Sequence, residues 1–183
     1  MKKTEKKPEE RWIMWGIPFV FAAGAALHYV YALSGRSSMV APLAPVNESI
    51  WEHTKMAYLP TALWWGGYYK KHKNDLNRDK WFSGTLAALV ACIAAMPAGY
   101  YLYTGIIGRH FLAADISLLA LAAAAGQMLG MHIYKYGKGR PKAFTSMAFI
   151  AAIGAVFAFF TFHAPHLPLF KDGLTGAYGI SRS

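Results

Sequence analysis

The segment PVNESIWEHTK, Pro45–Lys55, sets Asn47, Glu48, Ser49, Glu52, His53 and Lys55 ahead of an otherwise apolar stretch, MAYLPTALWWGGYY. In helical geometry Glu48 and Glu52 share a face, four residues apart, with Lys55 three residues further on. Ser49 and His53 form a second four-spaced pair about 100° around the axis. Two chemistries suit such a set. Carboxylate, imidazole and amine groups exchange protons, which makes Glu52, His53 and Lys55 the candidate catalytic residues. Carboxylates and imidazoles also ligate divalent ions, and a mixed set suits zinc, iron or manganese. The candidate ligands are Glu48, Glu52 and His53, joined by His28 and Asp115 from other parts of the chain. No HExxH spacing is present. Ser49 is the candidate nucleophile.

Long apolar blocks must position these residues. The 183-residue chain is 55% hydrophobic and only 15% charged. About 20 apolar residues cross the hydrocarbon core of a bilayer as a helix. Five blocks reach or approach that length, over residues 12–33, 47–69, 81–105, 111–134 and 143–162. The last three lack the polar stripe that a soluble bundle helix presents to water. The pattern predicts an all-α integral membrane protein, a bundle of five transmembrane helices. A basic tail, 1–11, precedes it and a non-helical cap, 164–183, follows it. Short connections make consecutive helices antiparallel neighbours. Gly126 and Gly130 form a small-xxx-small pair, which permits close helix contact within the bundle or in a homodimer.

The net charge of +10 would fit a nucleic-acid binder if it formed one patch. Instead it alternates along the chain. Lys2, Lys3, Lys6, Lys7 and Arg11 precede the first block. Lys70, Lys71, Lys73, Arg78 and Lys80 separate the second from the third, and Lys135, Lys138, Arg140 and Lys142 separate the fourth from the fifth. The other connections and the C-terminal segment hold only Arg36, Arg109, Lys171 and Arg182. The positive-inside rule then places the N-terminus in the cytoplasm and the C-terminus outside. The partner implied is the lipid bilayer, not nucleic acid. The first block runs on to Leu33 after a tail containing Glu5, Glu9 and Glu10, and so reads as an uncleaved anchor rather than a signal peptide. The single cysteine, Cys92, excludes an intrachain disulfide and a CxxC site, and reads as a packing residue.

With this topology the opening motif sits at the outer mouth of the second helix. Asn47 is the expected N-cap, and Glu48 in the first turn complements the helix dipole. Glu52, His53 and Lys55 lie deeper, where ionisable groups are costly and face the bundle interior or a wet cavity. The same topology brings His28, His110, Asp115, Tyr100, Tyr101, Tyr103, His163, His166 and Asp172 to the outer side. The inner half holds mainly Gln127 and His132.

The segment PVNESIWEHTK, with the upstream LHYVYALSG and the terminal PLFKDGLTGAYGI, resembles the signature of an uncharacterised bacterial membrane-protein family. That family is a domain of unknown function with a PVNESxWEHxK core. The resemblance implies a polytopic fold in the bacterial inner membrane and no established activity. Three functions therefore compete. The first is a metal-dependent or acid–base enzyme acting on a lipid or envelope substrate. The second is transport of a small solute, ion or proton. The third is a structural or partner-binding subunit in which the polar residues form a buried network. A haem site is disfavoured because the chain has no CxxCH, and no P-loop or dinucleotide fingerprint occurs.

Overall fold

Apolar blocks become helices, and their punctuation sets the ends. The computed structural model describes residues 7–180, so Lys2, Lys3, Lys6 and Arg182 of the charge pattern lie outside the described residues. Helix α1 spans Pro8–Leu33, with Pro8 in its first turn beside Glu9 and Glu10. Proline there loses no helical hydrogen bond, and the acids favour the positive end of the dipole. A short helix, α2, covers Ile50–His53, and α3 covers Lys55–His72. Helix α4 spans Arg78–Ile107, capped by the Asn77 side chain and closed by Gly108 at φ 78°. Helices α5 and α6 span Leu112–Tyr136 and Ala143–Phe162. The tail forms one 3₁₀ turn, Pro168–Phe170, and a single bridge between Lys171 and Tyr178.

Among the described residues the protein is all-helical, with no strand. Helices α1, α4, α5 and α6 are long and apolar enough to cross a membrane. Helix α3 is shorter and carries Lys55 at its start and Lys70, Lys71 and His72 at its end, which lowers its hydropathy.

The single helix suggested over 47–69 divides. It starts at Ile50 rather than Asn47 and is interrupted at Thr54, whose hydroxyl bonds back to the Trp51 carbonyl at 2.6 Å. A second irregularity follows from Pro60. Lacking an N–H, it leaves the Met56 carbonyl without its helical partner. Helix α1 comes close at that level, and a Cβ on Gly24 would stand only 2.5 Å from the Met56 oxygen. Glycine is thus required where α1 crosses α3.

Helix α1 packs on α3 and α5, while α4 packs on α3, α5 and α6. Gly126 and Gly130 of α5 face α4 inside the bundle. A Cβ on Gly126 would collide with Cys92 and the Ala88 carbonyl, and one on Gly130 with Ala88 and the Gly84 carbonyl. Tryptophans fasten the bundle beside these glycines and towards the start of α1. Trp12 and Trp64 stack at 4.0 Å, and each donates its indole N–H to the other's carbonyl, at 3.2 and 3.0 Å. Trp65 donates to Gln127 Oε1 at 2.9 Å, and Trp81 donates to the Trp65 carbonyl at 3.2 Å.

The two ends of the bundle differ in chemistry. One end joins Glu10 to Lys135 at 3.0 Å and the Asp79 carboxylate to the Ala143 N–H at 2.7 Å. The other end holds the 45–55 motif and the C-terminal segment. Trp51 of α2 packs against Phe157, Phe160 and Phe170 there, tying the motif to α6 and to the 3₁₀ turn.

Candidate metal centre

The 45–55 motif works as a folded turn before it works as a helix. Asn47 is not the N-cap: its Oδ1 accepts the Ser49 N–H at 3.0 Å, and its Nδ2 donates to the Gly179 carbonyl at 2.8 Å. The cap is Ser49, whose Oγ accepts the Glu52 N–H at 3.2 Å. Ser49 is buried and engaged in this way, which removes it as a nucleophile on an accessible substrate. The Glu48 carbonyl receives the Gly173 N–H at 3.4 Å. The C-terminal segment therefore holds the turn that presents Glu48. Asp172 supports that segment by accepting the N–H groups of Leu174 and Thr175, at 2.8 and 3.2 Å.

The candidate residues fall into three groups. In the first, the Glu48 carboxylate lies between two imidazoles. His28 Nε2 is 3.5 Å from Oε1 and His53 Nε2 is 3.3 Å from Oε2. The two rings are near-parallel, with centroids 5.3 Å apart. One ligand atom from each of His28, Glu48 and His53 lies within 4.8 Å of the others. Four ligands at about 2.0–2.1 Å around a tetrahedral ion stand roughly 3.3 Å from one another, so the spacing suits a single divalent ion. The three side chains are part-exposed, between 22% and 39%, which leaves an approach from solvent. His28 Nδ1 is buried without a hydrogen-bond partner. Hydrogen bonding to the His53 side chain holds the Glu48 carboxyl below its ordinary range, with partial burial opposing.

The second group is Glu52 and Lys55, 3% and 1% exposed, with Glu52 Oε2 and Lys55 Nζ 2.6 Å apart. Lys55 also donates to Thr161 Oγ1 at 2.6 Å and reaches the carbonyls of Ala41 and Ala44 at 3.0 and 3.4 Å. Thr161 in turn donates to the Phe157 carbonyl at 2.8 Å. Glu52 Oε2 further accepts the Val46 N–H at 3.0 Å. This pair's hydrogen bonds are made within the protein, and both side chains are buried. Glu52 is not one of the three clustered ligands, His28, Glu48 and His53.

The third group is Asp115, in the first turn of α5. Its Oδ1 accepts the Tyr103 hydroxyl and its Oδ2 lies 3.7 Å from His110 Nδ1. It belongs to the α4–α5 hairpin and is not one of the three clustered ligands. His163 stacks on Phe159 and His166 on Tyr178, and neither is one of the three clustered ligands.

Sequence reasoning missed Thr161, Val46 and the Ala41 and Ala44 carbonyls as partners of the buried pair, and Tyr103 as the partner of Asp115. The one available signal was Thr161 itself, a hydroxyl near the end of an almost wholly apolar helix.

Among the described residues these features define an all-helical protein with four membrane-type helices and a two-histidine, one-glutamate cluster at one end of the bundle. The chain belongs to the Family of unknown function (DUF6512), which matches residues 1–180. No curated protein and no solved structure matches it.

Proposed function

We propose that this is a multi-pass membrane protein that binds one divalent metal ion, zinc in the first instance, through His28, Glu48 and His53. The observation that carries the reading is the convergence of three ligand atoms within 4.8 Å, drawn from α1, the 47–49 turn and α2. Two imidazoles and one glutamate are a ligand set that catalytic zinc sites use, with a further position left open. The partial exposure of all three side chains fits such an open position, whereas structural zinc sites are closed by four protein ligands.

A divalent ion held there supplies Lewis acidity and makes water a better nucleophile near neutral pH. The chain's own residues hold and orient the ligands. The Asn47 turn and the C-terminal segment present Glu48, and α1 and α2 bring the two histidines alongside it. The proposed activity is hydrolysis of a lipid or envelope substrate reaching the site from the outer face. The Glu52–Lys55 pair belongs to the scaffold in this reading.

The topology proposed with it has five crossings, the four apolar helices and α3, in a bacterial cytoplasmic membrane, with the N-terminus inside. Support comes from the basic residues. Arg11, Lys70, Lys71, Arg78, Lys80, Lys135 and Lys142 all belong to one end of the bundle, opposite the histidine–glutamate cluster.

The test is the metal content of protein purified in detergent. One zinc per chain is expected, with loss in His53→Ala and Glu48→Gln variants that elute as the wild type does. Wild-type protein that takes up no divalent ion from a zinc-supplemented buffer would refute the site.

A further inference from the structure

The strongest buried polar feature outside the cluster is the Glu52–Lys55 pair, and its contacts have a direction. Lys55 holds the carbonyls of Ala41 and Ala44, and Glu52 holds the Val46 N–H. These three backbone groups lie in the segment that leads into Asn47 and Glu48. The pair thus grips the chain just ahead of the ligand turn. Lys55 also reaches across to Thr161 on α6, which anchors the grip to a separate helix. On the other side of Glu52 in the chain is His53, a second ligand. Glu52 therefore sits between Glu48 and His53 in the chain, Lys55 follows two residues beyond His53, and together they hold the backbone just ahead of the first ligand.

We infer that Glu52 and Lys55 are positioning residues of the divalent site, setting the distance between the Glu48 turn and His53 without touching the ion. The inference rests on the metal reading above and adds to it a role for residues that neither ligate nor meet substrate. The chemistry is specific. An ammonium has three donors, and here it meets four oxygens, two of them backbone carbonyls. A methionine of similar length fills the space but binds none of them. Outer contacts that orient metal ligands commonly change affinity by about 10–100-fold when removed.

The experiment measures zinc affinity by chelator competition, and the absorption of the cobalt-substituted protein, for wild type, Lys55→Met, Glu52→Gln and Thr161→Val in detergent. Thermal melting of the zinc-free proteins runs alongside to score folding. Lys55→Met and Glu52→Gln are expected to weaken zinc by about 10–100-fold. They should also lower the intensity of the visible cobalt bands, as the site loses its compact geometry, in protein that still melts cooperatively. Thr161→Val keeps the ion pair and loses only the anchor on α6. It should weaken zinc by a smaller factor and serves as the reporter if the other two do not fold. Affinity within twofold of wild type, with an unchanged cobalt spectrum, in every variant that folds would overturn the positioning role and leave the metal site standing. Absence of zinc binding by the wild type would instead remove the metal reading itself.

Discussion

Glu48 and Glu52, four residues apart in sequence, serve different partners. Glu48 lies between His28 and His53, whereas Glu52 is buried 2.6 Å from Lys55. The divergence arises because the helix begins only at Ile50. Glu48 lies on the turn ahead of it, and only Glu52 has a helical direction. The motif therefore splits into a part-exposed half that can meet an ion and a buried half that holds the backbone.

Breaking the buried half should be costly in a recognisable pattern. Lys55→Met leaves the Glu52 carboxylate buried and unpaired, and removing one partner of such a pair costs about 3–5 kcal/mol. The double variant Glu52→Gln/Lys55→Met removes both charges, and its glutamine oxygen can still accept the Val46 N–H. It should recover most of that loss in denaturation experiments. A double variant as unstable as the single one would show that packing, not the unpaired charge, dominates.

The crossing of α1 over α3 gives a sharper steric prediction. Gly24→Ala places a methyl 2.5 Å from the Met56 carbonyl oxygen, and overpacking of this kind costs about 1–3 kcal/mol. His28 lies one turn further along the same face of α1, so zinc affinity should fall as well. Gly66→Ala on α3 meets nothing within 4 Å. It should leave zinc binding unchanged and raise stability by up to about 1 kcal/mol, because glycine is the poorer helix former. Melting temperatures and zinc titrations of the two variants make the comparison.

Asp115 provides the converse control. It accepts the Tyr103 hydroxyl in the α4–α5 hairpin and stands outside the histidine–glutamate group. Asp115→Asn should keep one zinc per chain and lose about 1 kcal/mol of stability from the weakened hydrogen bond. Loss of zinc from a well-folded Asp115→Asn variant would show that the ligand set extends to α5.

Chelation should act through stability. A ligand that binds only the folded state stabilises it by about 2.7 kcal/mol at a hundred times its dissociation constant. Stripping zinc should lower the melting temperature of the wild type, and adding zinc back should restore it. The His53→Ala variant should show neither change at the same zinc concentration.

Much of the architecture was legible because hydrophobic length and helix punctuation act locally. The blocks at 81–105 and 143–162 lie within α4 and α6, and the block at 111–134 overlaps α5 from Leu112. The geometry of the candidate site was legible in part, since His28, Glu48 and His53 were among the residues expected together and have ligand atoms within 4.8 Å of one another. What failed was the assumption of an unbroken helix from Asn47, which put Glu48 and Glu52 on one face. Asn47 instead closes a turn against Gly179, 132 positions away, and no local pattern encodes that contact. Asp115 was grouped with the motif because both lie at the same end of the bundle. Its neighbour depends on the order of helices around the bundle, which hydropathy does not specify.

The most direct test of the shared ion is X-ray absorption at the zinc edge of the loaded protein in detergent. The expected first shell contains two imidazole nitrogens at about 2.0–2.1 Å and a carboxylate oxygen at about 2.0–2.2 Å. His28→Ala and His53→Ala should each remove one imidazole from it. A shell of oxygens without imidazole scattering, or one unchanged by both histidine variants, would contradict the site.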